Sequence, residues 1–175
     1  MVASLGRDGE LHQRTEVVSE PEPDWRVGVG FVPIKGERPE FVAQKLTEVG
    51  VDDIVVVARS QRQVVRWDDD KRERNIERLG KVVREAAMQS RRTRLPSLRV
   101  ADSLGELVGV AVAEPGGEPL MASDRFIVVG PEGGFAEDEL TGISRKVSLG
   151  NFVLRAETAA IVAGVLLTGL RERTR

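Results

Sequence analysis

The sequence contains no cysteine and no tyrosine, and its one histidine, His12, lies in a polar N-terminal segment. Without thiols the chain forms neither a disulfide nor a thiolate metal site, and it cannot methylate a pyrimidine C5 through a covalent cysteine adduct. A general acid or base must therefore come from Asp, Glu, Lys, Arg, the backbone or water. We expect a cytoplasmic protein that needs no metal.

A long hydrophobic run is also missing. The most apolar stretch, from Ala159 to Leu170, is interrupted by Thr168 and by glycines, and it is shorter than the about 20 residues that cross a membrane. We therefore predict a buried helix here, with no membrane association and no signal peptide at the start of the chain. A chain of 175 residues fits one domain that buries roughly 70% of its unfolded surface.

The sequence does contain a strand-like run that leads into a glycine-rich turn, in residues 126–135 (Phe-Ile-Val-Val-Gly-Pro-Glu-Gly-Gly-Phe). Its β-branched start favours a strand covered on both faces. Its three glycines let a ligand lie against bare main chain, whose free N–H groups bind acceptors. The acidic residues 137–139 suit the start of a helix. A tight turn without a ligand would explain this segment, taken alone, equally well.

Two motifs are absent from the turn, the Gly-x-x-x-x-Gly-Lys-Ser/Thr of phosphate loops and the Gly-x-Gly-x-x-Gly of dinucleotide folds. Nucleoside triphosphates and NAD are therefore disfavoured as ligands. A second strand-to-glycine turn follows at residues 147–150 (Val-Ser-Leu-Gly), and a helix start with Arg155, Glu157 and Thr158 comes after it. We expect the two turns to face one small-molecule pocket.

The apolar pattern from residue 27 onward alternates between strand and helix, which is typical of an α/β fold with a parallel sheet. Strands are predicted at 27–34, 53–58, 97–101, 126–129 and 146–149. Helices are predicted from Pro39 to Gly50, at 72–90, at 137–145 and at the C-terminus. We expect Trp67 to pack in a local apolar cluster rather than to stack on a base.

Positive charge is concentrated in one segment, although the whole chain has a net charge of −2. Residues 59–94 hold 12 Lys and Arg against 6 Asp and Glu, which gives this segment +6 and the remainder −8. For residues 72–84 we expect a solvated helix with i,i+4 partners. Arg91, Arg92 and Arg94 crowd together after that helix and suit nucleic-acid phosphates.

Six motifs resemble, in order and spacing, the signatures of the RsmE family of small-subunit ribosomal RNA uridine-N3 methyltransferases, in the SPOUT superfamily. They are Lys35-Gly-Glu-Arg38, Gln44-Lys-Leu-Thr-Glu-Val-Gly-Val51, Arg59-Ser60, Glu85-Ala-Ala-Met-Gln-Ser-Arg-Arg92, Gly130-Pro-Glu-Gly-Gly-Phe135, and Ser148-Leu-Gly with Leu154-Arg-x-Glu-Thr-Ala159. The resemblance covers about residues 27–168. It implies S-adenosylmethionine as cofactor, 16S ribosomal RNA as partner, and a SPOUT-type fold with a C-terminal trefoil knot. In that knot the segment after Gly150 passes through the loop around residues 130–135.

The same resemblance implies roles for individual residues. The cofactor is expected at Val129, Gly130, Pro131, Glu132, Gly133, Gly134, Ser148, Leu149, Gly150, Leu154, Thr158 and Ala159. Arg155 or Arg38 has the chemistry to stabilise charge that develops on a uracil oxygen. Glu157 either accepts the N3 proton or has the structural role of capping the helix or pairing with Arg155. RNA contacts are expected at Lys35, Arg59, Gln89, Arg91, Arg92 and Arg94.

One loop departs from the family pattern, since Asn151, Phe152 and Ala156 stand where relatives commonly have Pro, Arg and Thr. The missing arginine at 152 bears on uridine recognition more than on cofactor binding. Two alternatives stay open: a SPOUT enzyme that methylates a ribose 2′-hydroxyl or another base, and an RNA-binding module without cofactor. The intact glycines favour an enzyme.

The N-terminal segment 1–24 is polar and contains Asp8-Gly9, a turn signal between two short strand-like segments. We interpret it as a linker or as the remnant of a PUA-like RNA-binding domain, ahead of a methyltransferase domain in 25–175. A truncated chain, a misassigned start and a protein without this barrel are the alternatives. The C-terminal helix is apolar nearly all round, so we expect it to pack in the knot and against a second copy in a homodimer.

Overall fold

The computed structural model describes residues 3–5, 11–13 and 22–173. Eight strands lie in these ranges: β1 (Ala3–Leu5), β2 (Leu11–Gln13), β3 (Gly28–Phe31), β4 (Asp53–Val57), β5 (Ser97–Ala101), β6 (Ala111–Glu118), β7 (Phe126–Val129) and β8 (Lys146–Val147). The first two pair antiparallel, and the other six form one sheet in the order β5-β4-β3-β7-β6-β8, with every pairing parallel. The predicted α/β fold with a parallel sheet is confirmed, and the turn at Asp8-Gly9 lies outside the described residues.

Within the described residues, three α-helices accompany the sheet: α1 (Arg38–Glu48), α2 (Asp69–Gln89) and α3 (Ala156–Arg173). Pro39 in the first turn of α1 fits the fixed φ of proline, and Gly50 ends the segment with a φ of 92°. The Asp68 side chain caps α2 by accepting a hydrogen bond from the Lys71 N–H at 2.9 Å. Beyond the other end of α2, Arg91 has a φ of 59°, a conformation usually left to glycine.

The core lies on both faces of the sheet, because parallel strands carry helices or loops on each side. One cluster packs Phe31 and Ile127 against α1 and α3, and the other packs Val55 and Val128 against Phe135. Trp67 packs at the margin of the first cluster, which confirms its predicted structural role. The helices α1 and α3 approach closely because Gly164 faces Leu46, where an added Cβ would lie 2.8 Å from a methyl carbon.

One prediction about local structure was wrong, and one strand was not predicted. Residues 137–142 form successive turns instead of the predicted helix at 137–145, and Gly142, the last of these residues, has a φ of 84°. The strand β6 was not predicted, because its sequence Ala-Val-Ala-Glu-Pro-Gly-Gly-Glu contains residues that are rare in strands. None of the helices in the described ranges is long and apolar enough to cross a bilayer.

Candidate active site

A cavity of about 290 Å³ lies at the carboxyl ends of strands β6 and β7. Parallel α/β sheets bind their ligands at this end of the strands. Eleven of the twelve residues predicted to hold a cofactor line the cavity: Val129, Gly130, Pro131, Glu132, Gly133, Gly134, Ser148, Leu149, Gly150, Leu154 and Ala159. The two glycine turns, about twenty residues apart in sequence, therefore meet at one cavity.

The first turn presents main chain to this cavity. Gly134 donates its N–H to the Pro131 carbonyl at 2.8 Å and has a φ of 68°, which a residue with a Cβ adopts only with strain. A Cβ on Gly130 would lie 3.0 Å from the Phe135 ring. The turn therefore needs glycine at these two positions, for conformation in one case and for close packing in the other.

The second turn is held by its own polar groups. The Ser148 hydroxyl donates to the Gly150 carbonyl at 3.0 Å and accepts from the Gly150 N–H at 3.3 Å. The Ser148 N–H donates to the Glu118 carbonyl at 2.8 Å, which ties the turn to β6. The loop after this turn brings Phe152 and Val153 into the cavity wall while leaving both side chains largely exposed.

A loop from the basic segment docks on the first turn, a contact that the sequence did not predict. Arg62 donates to the Gly133 carbonyl at 3.0 Å. Gln61 donates through its backbone to Glu139 at 3.1 Å and through its side chain to Asp138. The acidic residues after the turn therefore fix the loop 60–66 instead of starting a helix. The contacts join residues that are 77 and 78 positions apart in the chain, and their local sequences do not predict them.

A second cavity of about 50 Å³ adjoins the first, and Arg38 stands at its edge. Arg38 Nη1 lies 3.4 Å from Glu157 Oε1 and 3.9 Å from Glu132 Oε1. Pro131, Glu132 and Ala156 line both cavities and so form the wall between them. The structure thus brings Arg38 and Glu157 together, and the partner of Glu157 is Arg38 rather than Arg155.

Two predicted residues lie outside this constellation. Arg155 is exposed and lines neither cavity, and its carbonyl accepts the Ala159 N–H at the start of α3. Thr158 is also exposed and lies outside both cavity walls. The family resemblance placed them in the candidate site, but of the first turn of α3 only Ala156 and Ala159 line the larger cavity.

The predicted RNA-binding residues divide into exposed side chains and one that is largely buried. Lys35, Arg59, Gln89, Arg91 and Arg94 are exposed, and Arg94 pairs with Glu22 at 3.0 Å. The Arg92 side chain is only 9% exposed, and its guanidinium donates to the carbonyls of Val51 at 2.7 Å and Thr47 at 3.0 Å. The assignment of Arg92 to RNA phosphate is therefore corrected, because its charge is used inside the fold.

Comparison with known proteins points to one group. Residues 20–168 match the family described as RNA methyltransferase domain. The ribosomal RNA small subunit methyltransferase E of Mycobacterium tuberculosis is 35% identical over 151 residues, which are 74% of this chain and 57% of that protein. The chain thus spans little more than half the length of this relative.

Two solved structures share the fold. A methyltransferase of Legionella pneumophila, in complex with its bound cofactor SAM (S-adenosylmethionine), is 28% identical with a TM-score of 0.70, covering 82% of this chain and 66% of that one. A ribosomal RNA small subunit methyltransferase E of Neisseria gonorrhoeae bound to S-adenosylmethionine is 24% identical with a TM-score of 0.75, covering 89% and 70% of the two chains. These comparisons confirm the resemblance to the RsmE family, and the knot remains a prediction.

Proposed function

We propose that this chain, which belongs to the RNA methyltransferase domain family, transfers a methyl group from S-adenosylmethionine to a uridine N3 of 16S ribosomal RNA in the small subunit. The observation that carries the proposal is the meeting of both glycine turns at one cavity, at the end of the sheet where α/β folds bind ligands. The relatives' names supply the RNA class, and such a substrate implies a cytoplasmic location.

The lining of the larger cavity fits the proposed cofactor. Main-chain groups of the two turns offer donors and acceptors, and Val129, Leu149 and Leu154 add apolar wall. When bound, S-adenosylmethionine supplies an electrophilic methyl group on a sulfonium centre. The protein's contribution is then to align a nucleophile with that methyl group and to exclude water from the site.

Charged groups beside the larger cavity suit a uracil. Uracil N3 becomes nucleophilic as its proton leaves, and the resulting negative charge spreads onto the flanking oxygens. Arg38 lines the smaller cavity and can hydrogen-bond such an oxygen, which stabilises the charge as it develops. Glu157, close behind Arg38, holds the guanidinium in place, and a proton relay from N3 to this carboxylate would run through water. Arg155 stays a candidate on the solvent side of α3.

The RNA backbone is proposed to lie along the exposed cations Lys35, Arg59, Arg91 and Arg94, with Gln89 beside them. Exposed arginines near a helix end neutralise phosphates without reading sequence. The loop 60–66 connects this surface to the first glycine turn through Arg62.

A homodimer is part of the proposal. Phe152, Val153, Val165 and Leu166 leave large apolar side chains exposed on α3 and on the loop before it. Large apolar side chains that stay exposed favour an interface with another protein. Sedimentation should give a dimer at micromolar concentration, and a stable monomer there would contradict this part of the proposal.

The reaction can be tested on its product. Small ribosomal subunits that lack the modification, incubated with this chain and methyl-labelled S-adenosylmethionine, should yield N3-methyluridine on nucleoside mass spectrometry. This methyl group occupies the Watson–Crick edge, so reverse transcriptase should stop at the modified site. A methylated product without such a stop would instead indicate a ribose 2′-hydroxyl or another base position.

A further inference from the structure

Strand β6 contains a bulge where it reaches the larger cavity. Ala113 and Glu118 both pair with Val147 of β8, so residues 114–117 between them leave the ladder of hydrogen bonds. A Cβ on Gly117 would lie 2.7 Å from the Val147 carbonyl carbon, so the bulge folds back over β8 only because this residue is glycine. Bulges beside binding sites redirect side chains that a regular strand would point elsewhere.

Glu114, the first residue of the bulge, lies between the two glycine turns. In the sheet, β6 stands between β7, which leads into the first turn, and β8, which leads into the second. The registers of these pairings, continued past the last paired residues, place Glu114 level with Gly130 on one side and with Ser148 on the other. All three residues line the larger cavity. The fold therefore places an acidic side chain among the main-chain groups that are proposed to hold the cofactor.

The charged side chains of the larger cavity are all acidic. Among the described residues that line it, Glu114 and Glu132 are ionisable, and none is Lys, Arg or His. The Glu132 side chain is 68% exposed and lies 3.9 Å from Arg38, so solvent and this guanidinium both weaken its field. Glu114 is partly buried and makes no hydrogen bond or ion pair with another described residue. The cavity therefore contains a carboxylate that has no cationic partner within the described chain.

We propose that Glu114 recognises the positive charge of the S-adenosylmethionine sulfonium and so favours this form of the cofactor over S-adenosylhomocysteine, an inference that rests on the function proposed above. The two molecules share their adenine, ribose and amino-acid groups, but the second has a neutral thioether in place of the sulfonium. A carboxylate attracts the charged form by Coulomb's law and gains no such energy from the neutral one. Apolar walls formed by Val129, Leu149 and Leu154 strengthen the attraction, because they lower the local dielectric constant.

This preference acts on the exchange of the cofactor. Methyl transfer removes the positive charge from the sulfur, so the spent form in the cavity loses its attraction to Glu114. Weaker binding of the spent form lets the charged form replace it. Glu114 is therefore a specificity-determining residue for the cofactor, and its effect appears in affinities rather than in the chemical step.

The test is calorimetric titration of the full chain, without RNA, with S-adenosylmethionine and separately with S-adenosylhomocysteine. Glu114→Gln keeps the size of the side chain and removes its charge. The affinity for S-adenosylmethionine should fall about tenfold, since the attraction of two charges near a protein surface exceeds this before their desolvation is subtracted. The affinity for S-adenosylhomocysteine should stay nearly unchanged, which also shows that the variant folds.

Two further variants separate the charge of Glu114 from its shape and from the overall charge of the protein. Glu114→Asp keeps the carboxylate and should retain more of the preference for S-adenosylmethionine than Glu114→Gln does. Glu137→Gln is the matched control, because Glu137 follows the first turn, is exposed and lies outside both cavity walls. It removes the same charge and should leave the ratio of the two affinities as in the native chain.

An equal loss of affinity for both ligands in Glu114→Gln would overturn the proposal, because the carboxylate would then bind a group that both share, such as the ribose hydroxyls or the ammonium. An unchanged ratio in Glu114→Gln, the same change in Glu137→Gln, or an equal loss of preference in Glu114→Asp and Glu114→Gln would also overturn it. In these cases the native chain still binds the cofactor, so only the role of Glu114 is wrong. If the native chain binds neither ligand, the proposed function itself is refuted.

Discussion

At the amino ends of strands β3, β4 and β5, charged side chains bind one another, whereas at the carboxyl ends the chain presents glycine turns and main-chain groups. Asp52 accepts hydrogen bonds from the Val27 N–H at 2.8 Å and from Arg171 at 2.5 Å, and it pairs with Arg92 at 3.5 Å. The opposite end holds the two cavities. Ion pairs and hydrogen bonds thus hold one end of the sheet together, which we call the fastened end, and the cavities at the other, the ligand end, can receive ligands.

The comparison shows how to assign arginines in this chain. Arg92 and Arg171, at the fastened end, are 9% and 12% exposed and give their donors to carbonyls and to Asp52. Arg38 and Arg62, at the ligand end, contact the residues that line the cavities. The position of an arginine relative to the strand ends therefore separates structural from functional roles better than its place in a basic run of sequence.

The largest effect on stability should come from removing the carboxylate that the arginines at the amino ends of the strands share. Asp52→Ala leaves two largely buried guanidinium groups without their shared carboxylate, so the free energy of unfolding should fall by about 3–5 kcal/mol. Urea denaturation measures this change. The control Glu77→Ala removes an exposed i,i+4 pair with Lys81 and should leave the stability almost unchanged. Similar losses for the two variants would remove the distinction between the two ends.

Substitutions at the carboxyl ends of the strands should change the turnover rate rather than the free energy of unfolding. Arg38→Ala should lower kcat by about 100-fold, as expected when a donor to a developing oxyanion is removed, with little change in unfolding. Arg155→Ala, outside both cavities, is the comparison variant and should lower kcat less. A larger loss at Arg155 than at Arg38 would move the reacting base to the solvent side of α3.

A second ion pair at the amino ends gives a pH-dependent effect. Arg145 makes two hydrogen bonds of 2.9 Å to the buried Asp124 and thereby lowers the pKa of this carboxyl. Because the folded pKa lies below the unfolded one, the stabilisation is present above the ordinary value of 3.8 and is lost as the pH falls through the folded pKa. Asp124→Asn should cost about 2 kcal/mol at pH 7.

The pH dependence of unfolding measures the Asp124 contribution directly. The difference in stability between the native chain and Asp124→Asn should shrink as the pH falls below 3.8, since both then carry an uncharged group. A difference that stays constant down to pH 2 would show that Arg145 does not act through the charge of Asp124.

The smallest effect concerns the RNA surface. Replacing the exposed Arg91 and Arg94 by alanine should lower the slope of log affinity against log salt by roughly 0.7 for each phosphate that the protein no longer neutralises. Filter binding at several salt concentrations measures the slope. Arg84→Ala, an exposed position on the solvated part of α2, is the control. An unchanged slope in the double variant would exclude this surface as a phosphate site.

Local residue patterns predicted most of the central elements. The β-branched runs at 53–57 and 126–129 and the periodic segments of α1 and α2 form as expected, because each is locally consistent and is also buried by the fold. The strand β6 has no such pattern in its sequence. It forms because its backbone pairs on both sides with strands that come later in the chain, which local sequence does not reveal.

The site could be predicted as two turns but not as two cavities. Glycine spacing and the family resemblance predicted eleven residues that the structure places around one cavity, because main-chain turns depend on local sequence. The pairing of Arg38 with Glu157, and the docking of Arg62 on Gly133, join residues that are far apart in the chain. Nothing in their local sequence distinguishes these arginines from Arg92, which the fold buries.

We expect the cavity between the two glycine turns to bind the cofactor, and calorimetric titration with S-adenosylhomocysteine measures this binding. A Cβ on Gly133 would meet only ordinary contacts with Arg62, at 3.5 Å or more, so Gly133→Val should fold. Its added methyl groups should occupy the cavity and weaken binding at least tenfold, while Gly105→Val, outside both cavities, should bind as the native chain does. Unchanged affinity in Gly133→Val, or no binding by the native chain, would contradict the placement of the cofactor.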